Sequence, residues 1–176
     1  MPANALLTGP PRSGKTTAIE RTVDRLRRGG LDVGGLLSPE RRADGERVGF
    51  DLVDLSTDRR TTMAHVEYDG PAVGTYGIDV DAVDRLSDAA LSLSVGDCDC
   101  VVIDELGPMQ CASDRFVAAT QEILEMETPV FATIAVHDSI PFLDAVRSRE
   151  DVTIVEVTRG TRDDIPAHLE EWIRSI

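Results

Sequence analysis

The sequence predicts an α/β fold: a single domain over residues 1–176 whose mainly parallel central sheet is covered by helices on both faces. Apolar stretches of strand length alternate with amphipathic stretches of ten or more residues, an order that produces parallel strands joined by helices. A chain of 176 residues can bury a sufficient core without disulfides or a structural metal. A polar, glycine-punctuated region from about residue 39 to residue 66 interrupts the alternation, and it predicts a small antiparallel insertion at one edge.

The individual elements follow from periodicity and from their flanking turn residues. Strands are predicted at residues 5–8, 33–37, 48–55, 61–66, 100–103, 130–136 and 152–157. Helices are predicted at residues 16–28, 80–93, 113–126, 139–147 and 164–176. In the last helix, Trp172 and Ile173 are interpreted as core residues, with base stacking as the alternative for Trp172.

The charge balance argues against two classes of partner. The chain has 32 acidic and 18 basic residues, a net charge of -14, which repels nucleic acid phosphates and anionic membranes. Of the basic residues, 17 are Arg and one is Lys. An acidic, lysine-poor composition resembles proteins of salt-loving organisms, since at about 1 M salt the Debye length falls to roughly 3 Å and self-repulsion is screened. We therefore expect a halophilic protein with neither nucleic acid nor membrane as a partner.

Cysteine usage and hydropathy favour the cytoplasm. No window approaches the roughly 18 consecutive apolar residues of a transmembrane helix, and the N-terminus lacks the basic region of a signal peptide. The odd set Cys98, Cys100 and Cys111 fits a reducing compartment. Small buried thiols are favoured over a zinc site, because no fourth ligand follows at metal spacing. We expect a cytoplasmic protein that acts as a monomer.

A phosphate-binding loop is predicted between the first strand and the first helix. The pattern G-x-x-x-x-G-K-[ST] is met by Gly9-Pro10-Pro11-Arg12-Ser13-Gly14-Lys15-Thr16. Glycines let backbone N–H groups turn toward an anion, and the helix N-terminus adds partial positive charge. Lys15, the chain's sole lysine, would reach the β- and γ-phosphates of a nucleoside triphosphate, where the wider fork of an arginine is not equivalent. The Thr16 hydroxyl would ligate Mg²⁺.

A second motif ends the strand at residues 100–103, where Asp104 and Glu105 follow an apolar run. This is the form of a Walker B motif. Asp104 would hold Mg²⁺ through its water shell, and Glu105 would act as the general base toward the attacking water. The alternative is a pair of solvated acids at a strand end, which the neighbouring phosphate loop disfavours.

With both motifs in hand, the sequence resembles the small P-loop nucleoside-triphosphatase family first associated with thermophiles, which has a cancer-related human member. The resemblance covers essentially the whole chain and is most specific in Asp104-Glu105-Leu106-Gly107-Pro108-Met109. It also includes Gly14-Lys15-Thr16-Thr17, Gly35-Leu36-Leu37-Ser38-Pro39-Glu40, Gly49-Phe50, Val73-Gly74-Thr75-Tyr76-Gly77-Ile78, Val157-Thr158 and Arg162-Asp163. It implies slow, Mg²⁺-dependent hydrolysis of ATP, GTP, CTP and UTP with release of phosphate. The expected nucleotide contacts are Gly9, Pro10, Pro11, Arg12, Ser13, Gly14, Lys15, Thr16, Thr17, Ile103, Asp104, Glu105 and Gly107.

Three positions depart from the family pattern. Arg12 stands where Gly is frequent, Gln110 replaces the usual Glu after Met109, and Thr161 replaces the usual Asn before Arg162. None of these changes removes a phosphate or metal ligand. They bear on base recognition and on rate.

Arg162 is the first candidate for a catalytic arginine that neutralises charge in phosphoryl transfer, and Arg12 is the second. The alternative for Arg162 is a surface salt bridge, which contributes little. His137 follows a predicted strand and is either near the γ-phosphate or a helix-entry residue. His65 and His168 have no motif around them and are expected at the surface.

Two other functions stay open on the sequence. A P-loop kinase would transfer the phosphoryl group to a small molecule, and the arginines of the insertion could supply its lid: Arg41, Arg42, Arg59 and Arg60. A nucleotide-dependent switch is the third possibility. A guanine-specific switch that uses Asn-Lys-x-Asp is excluded, because the only Asn is Asn4 and the only Lys is Lys15. Glu105 favours hydrolysis over binding alone.

Overall fold

The computed structural model describes residues 3–92, 97–136 and 140–176, which form one ten-stranded sheet and six helices. The strands are β1 (Asn4–Gly9), β2 (Val33–Leu37), β3 (Glu40–Ala43), β4 (Glu46–Asp54), β5 (Arg60–His65), β6 (Ala72–Val73), β7 (Tyr76–Ile78), β8 (Cys100–Leu106), β9 (Val130–Ala135) and β10 (Val152–Glu156). The helices are α1 (Lys15–Arg28), α2 (Val80–Ala90), α3 (Pro108–Cys111), α4 (Asp114–Leu124), α5 (Pro141–Arg147) and α6 (Ile165–Ser175).

The sheet has a parallel part and an antiparallel part. Its order is β10-β1-β9-β8-β2-β4-β5-β7-β6, with β3 paired to β4. Neighbours from β10 to β2 are parallel, whereas every pairing beyond β2 is antiparallel. The predicted α/β fold is confirmed. The antiparallel insertion is longer than expected, because β6 and β7 carry it on to Ile78. Strands of two and three residues are too short to show a period in the sequence.

Two hydrophobic cores lie on opposite faces of the sheet, as alternation along each strand requires. On β1, Leu6 packs in the core that α2, α4 and α5 cover, while Ala5 and Leu7 pack in the core that α1 and α6 cover. Phe131 of β9 belongs to the second core and lies with its ring centroid 6.0 Å from that of Trp172. Trp172 is half-buried, which places it in the core region as predicted.

The predicted helices recur in the structure, with ends that differ by a few residues; the predicted ends at 93 and 139 lie outside the described residues. In α1 the buried residues follow helical spacing: Ala18, Ile19, Thr22, Val23 and Leu26. Side-chain caps begin two other helices. Asp79 Oδ1 accepts from the backbone N–H of Ala82, and Ser113 Oγ accepts from that of Phe116, both at 3.0 Å. The described part of the chain holds no helix long and apolar enough to cross a membrane.

Close contact between β2 and β8 depends on a glycine. Gly35 has a φ of 117°, and a Cβ added there would lie 1.9 Å from the carbonyl oxygen of Val102. Because β8 carries the predicted carboxylates at its end, this contact fixes the strand on which they stand.

We predict that Gly35→Ala lowers the free energy of unfolding by more than about 3 kcal/mol, since a left-handed backbone costs about 1–2 kcal/mol and the backbone overlap adds to it. Gly30→Ala is the matched control, because Gly30 has a φ of 83° but no atom within 4 Å of the added Cβ. Urea unfolding of both variants measures the difference. Equal destabilisation of the two would show that the β2–β8 contact tolerates a side chain.

Candidate functional site

The predicted phosphate loop connects the end of β1 to the start of α1. Gly9 allows this connection, because a Cβ there would lie 2.5 Å from the carbonyl oxygen of Val157 and 2.7 Å from Ser13 Oγ. Gly14 has a φ of 102° and is the N-cap of α1. The backbone N–H of Ser13 donates to the carbonyl of Pro10 at 3.1 Å, which closes the turn between them. The loop therefore wraps around the N-terminus of α1, where an anion is stabilised.

The Lys15 ammonium lies across this loop. Its Nζ donates to the carbonyl oxygen of Gly9 at 2.6 Å and to that of Pro10 at 3.4 Å. Arg12 is exposed and has a φ of 64°. The structure thus gathers the eight motif residues into one compact turn with a single ammonium at its centre.

Asp104 joins the loop to the middle of the sheet. Its carboxylate accepts from Thr133 Oγ1 of β9 and lies close to the Thr16 hydroxyl of α1, with which it shares a cavity. The residue is only 5% exposed. Burial raises the pKa of Asp104, although both hydroxyl contacts and the charge of Lys15 oppose that shift. A buried carboxylate next to a hydroxyl offers hard oxygen donors of the kind that Mg²⁺ prefers.

Glu105 follows Asp104 near the end of β8. The pairing of β8 with β9 shifts register between Ile103 and Leu106, so the two acids stand at an irregularity of the sheet. Glu105 is half-buried, and its carboxylate lies over Gly107, where an added Cβ would be 2.7 Å from Oε1. Ile103 is 1% exposed and packs in the core, so its contribution to a site is to position Asp104.

The carboxylates and Arg162 lie beside different cavities. Thr16, Asp104 and Glu105 line a cavity of about 310 Å³. Arg162 packs on Gly14, where an added Cβ would be 2.8 Å from Arg162 Cδ, and lines a cavity of about 230 Å³ with Thr17. The structure therefore brings Arg162 to the phosphate loop, on the side of α1 and α6.

The structure adds three functional candidates. Two were not predicted from the sequence, and the third, Gln110, was noted only as a departure from the family pattern. Thr133 is the one hydroxyl residue within the apolar strand β9, a signal that could have been read as a partner for the strand beside it. Glu20 lies one helical turn after Thr16, and partial burial together with the charge of Asp104 raises its pKa. Gln110 is 2% exposed, and its Nε2 donates to Ser38 Oγ at 2.9 Å.

The remaining predicted candidates lie elsewhere. Arg41 and Arg60 both contact the buried carboxylate of Asp51, and Arg42 bonds to Glu40, so these insertion arginines are engaged in ion pairs. Arg59 lines a separate cavity beside α2. His137 lies outside the described residues.

Burial disfavours the reactive thiolate form of Cys98 and Cys100, whose pKa values are both raised. Cys98, Cys100 and Cys111 form no disulfide bonds with one another, and burial raises the pKa of Cys100 to about 12. Within residues 3–92, 97–136 and 140–176, no group of three or more His, Cys, Asp and Glu side chains is arranged to hold a metal ion. A metal at Thr16 and Asp104 would thus need further oxygen ligands from phosphate and water.

A glycine-rich loop at the N-terminus of α1, one lysine inside it and a buried carboxylate against its last hydroxyl together define a P-loop nucleotide-binding protein. The sequence matches the protein family described as NTPase over residues 4–169. It is 38% identical over 160 residues to nucleoside-triphosphatase THEP1 of Methanothermobacter thermautotrophicus, covering 91% of this chain and 90% of the relative. With nucleoside-triphosphatase THEP1 of Thermofilum pendens it shares 38% identity over 175 residues, covering 98% of this chain and 96% of the relative.

Solved structures agree with the sequence matches. The crystal structure of THEP1 from the hyperthermophile Aquifex aeolicus superposes with a TM-score of 0.84 at 25% identity, covering 94% of this chain and 96% of that one. The solution structure of a human cancer-related nucleoside triphosphatase gives a TM-score of 0.81 at 29% identity, covering 98% and 97%. The chain belongs to this NTPase family, and the resemblance deduced from its motifs is confirmed.

Proposed function

We propose that this chain hydrolyses ATP, GTP, CTP and UTP to the diphosphate and phosphate, using Mg²⁺, in the cytoplasm. One observation carries the proposal: the Thr16–Asp104 contact places the phosphate loop against the strand end that bears Glu105. A site for the terminal phosphate and a candidate base then share one cavity. Membership of the NTPase family and the names of the relatives support the same reaction class.

Mg²⁺ would be held by the Thr16 hydroxyl and by Asp104, directly or through water, and when bound it would neutralise negative charge on the β- and γ-phosphates. The residues fit the ion. Asp104 is buried and its pKa is raised, so a nearby cation would favour the ionised form that ligation needs.

Lys15 would bind the phosphates, and Glu105 would activate the attacking water. Lys15 Nζ lies within the loop, from which it would bind the β- and γ-phosphate oxygens. Glu105 would accept a proton from the attacking water and orient it toward the γ-phosphorus. Glu105 lines the same cavity as Thr16 and Asp104, which supports this division of roles.

Tolerance for the base is supported by the cavity beside Gly14. Its described lining consists of Gly14, Thr17, Ala18, Arg21, Arg162 and Asp163. Arg21 and Asp163 are paired with each other at 2.8 Å. No aromatic ring is among these described lining residues, so selective stacking of one base is not favoured.

We expect kcat/KM values for ATP, GTP, CTP and UTP to agree within roughly tenfold, or about 1.4 kcal/mol. Activity should rise from low salt to about 1 M KCl, because screening relieves the repulsion of a chain with net charge -14. Initial rates of phosphate release measure both effects. A preference above about a thousandfold for one base would reveal a specificity pocket and contradict the proposal.

Substitutions of the two adjacent acids, Asp104 and Glu105, should impair activity in different ways. We predict that Glu105→Gln, which keeps shape and removes basicity, binds ATP–Mg²⁺ nearly normally and hydrolyses it at least about a hundredfold more slowly. Asp104→Asn should instead raise the Mg²⁺ concentration needed for half-maximal activity. Mg²⁺ titrations of phosphate release, with nucleotide binding followed by thermal stabilisation, separate the two effects. If Glu105→Gln reached wild-type kcat at saturating Mg²⁺, Glu105 would be a metal-positioning residue rather than the base.

For Arg162 we propose a catalytic role in neutralising charge on the phosphates, supported by its packing on Gly14. We expect Arg162→Ala to lower kcat on the order of 10³-fold, the effect of catalytic arginines in related chemistry. Arg159→Ala is the matched control, since Arg159 is exposed on the same connection between β10 and α6. Steady-state kinetics with ATP gives kcat and KM for both variants and for the wild type. An unchanged kcat would remove Arg162 from catalysis, and a raised KM alone would assign it to nucleotide binding.

A further inference from the structure

The cavity beside Glu105 has room for much more than the attacking water. It has a volume of about 310 Å³, whereas one water molecule takes up about 30 Å³ in the liquid. It begins at Thr16 and Asp104 and extends away from the phosphate loop, between the antiparallel strands and α3. A volume of this size lies at the lower end of small-molecule sites, roughly 300–1,000 Å³.

The lining of this cavity favours an uncharged, partly apolar molecule. Apolar side chains form most of the wall: Phe50, Met63, Val73, Pro108 and Met109. Three carboxylates also line it: Glu40, Asp104 and Glu105. No Lys or Arg is among the described lining residues, so away from the proposed Mg²⁺ site a second ligand's own phosphate or carboxylate group would be repelled.

Gln110 adds a polar group that a ligand can complete. Its Nε2 donates to Ser38 Oγ at 2.9 Å, while its Oε1 is buried and has no hydrogen-bond donor among the described residues. Buried polar atoms in proteins are nearly always paired, so an unpaired amide oxygen at a cavity wall indicates a missing donor. A hydroxyl group of a bound molecule is such a donor.

The antiparallel insertion builds one wall of the cavity and holds it in place. Phe50 of β4 contacts Tyr76 edge to face, with ring centroids 5.4 Å apart. The Arg47 guanidinium lies 5.2 Å from the Phe50 ring centroid, and its Nε donates to the Tyr76 hydroxyl at 3.0 Å. These contacts fix the Phe50 ring as an apolar surface against which a flat molecule can pack.

We propose that this cavity binds a small, uncharged, hydroxyl-bearing molecule of up to nucleoside size and that the chain transfers the γ-phosphoryl group to it. The inference rests on the proposed binding of a nucleoside triphosphate at the phosphate loop. The hydroxyl oxygen attacks the γ-phosphorus and forms the new P–O bond. The bond from the γ-phosphorus to the bridging oxygen breaks, and its electron pair stays on the β-phosphate. The hydroxyl proton passes to the Glu105 carboxylate, leaving a phosphomonoester and a nucleoside diphosphate.

The test offers hydroxyl probes to the wild-type protein with ATP and Mg²⁺ in molar KCl. The probes are adenosine, guanosine, cytidine, uridine, ribose and glycerol, and the nucleoside 5′-monophosphates serve as charged counterparts. Transfer is measured as labelled phosphomonoester formed from γ-labelled ATP, alongside free phosphate. Binding is measured separately, as the rise in Tm that each probe gives to the protein with ADP and Mg²⁺.

Two variants of one strand locate the site. Val73 of β6 lines the cavity, whereas its neighbour Ala72 is exposed and points to the other face of the strand. Val73→Phe should lower kcat/KM for transfer to the accepting probe at least about tenfold, whereas Ala72→Phe should leave this kcat/KM unchanged. Gln110→Leu is the second variant should Val73→Phe not fold, and it should weaken probe binding by a similar factor through loss of the amide.

Transfer to at least one uncharged probe, lost in Val73→Phe and kept in Ala72→Phe, supports the inference. The inference is overturned if phosphate is released from ATP but no probe is phosphorylated and no probe raises Tm. It is also overturned if Val73→Phe transfers phosphate to the probe as well as the wild type does. It is also overturned if monophosphates are preferred over nucleosides. Absence of phosphate release from every nucleotide, with a probe still raising Tm, would contradict the proposed function and leave the binding site supported.

Discussion

The contact among Thr16, Asp104 and Thr133 is the constraint on which the rest of the site depends. It joins the start of α1, the end of β8 and the middle of β9, three elements that are remote in sequence. Because β9 lies between β1 and β8, the strand that leads into the phosphate loop and the strand that carries the acids are not neighbours. Thr133, on the intervening strand β9, donates a hydrogen bond to the buried Asp104 carboxylate and holds that carboxylate toward the loop. A shift of β8 by one residue would turn Asp104 to the opposite face, so the register of this sheet is part of the site.

Several glycines allow close approaches of backbone and side chains that a larger residue would prevent. Gly9 brings the end of β1 close to Val157, and Gly35 brings β2 close to Val102 of β8. Gly107 leaves the space that the Glu105 carboxylate occupies. In each case a methyl group would meet backbone or a polar side chain at less than van der Waals distance. The motif glycines thus act in two ways, by allowing a left-handed φ at Gly14 and by removing volume where strands and carboxylates approach one another.

The sequence predicts those parts of the candidate site that are contiguous in the chain. The phosphate loop and the pair Asp104 and Glu105 were predicted, because each motif carries its own flanking strand or helix as a context. Thr133 and Gln110 were not assigned roles, since their contacts depend on the order of strands in the sheet and on the four-residue helix α3, neither of which has a periodic signal. The extension of the insertion to Ile78 was missed for the same reason. The side of the loop on which Arg162 lies could likewise not be deduced, because it is set by the packing of α6 on α1.

The charge distribution around the loop gives the proposed reaction its dependence on a cation. The Lys15 ammonium interacts with the charge of Asp104, which stands beside Glu105, and the pKa of Glu20 is raised by its partial burial and by Asp104. A free triphosphate would be repelled by these carboxylates, whereas a triphosphate that carries a divalent cation would be repelled much less. The same acids that would repel a bare nucleotide therefore select its metal complex. In a chain with net charge -14, screening by salt would lower the remaining long-range barrier to association, whereas the contacts of the buried Asp104 carboxylate would weaken less, because buried groups are screened far less than exposed ones.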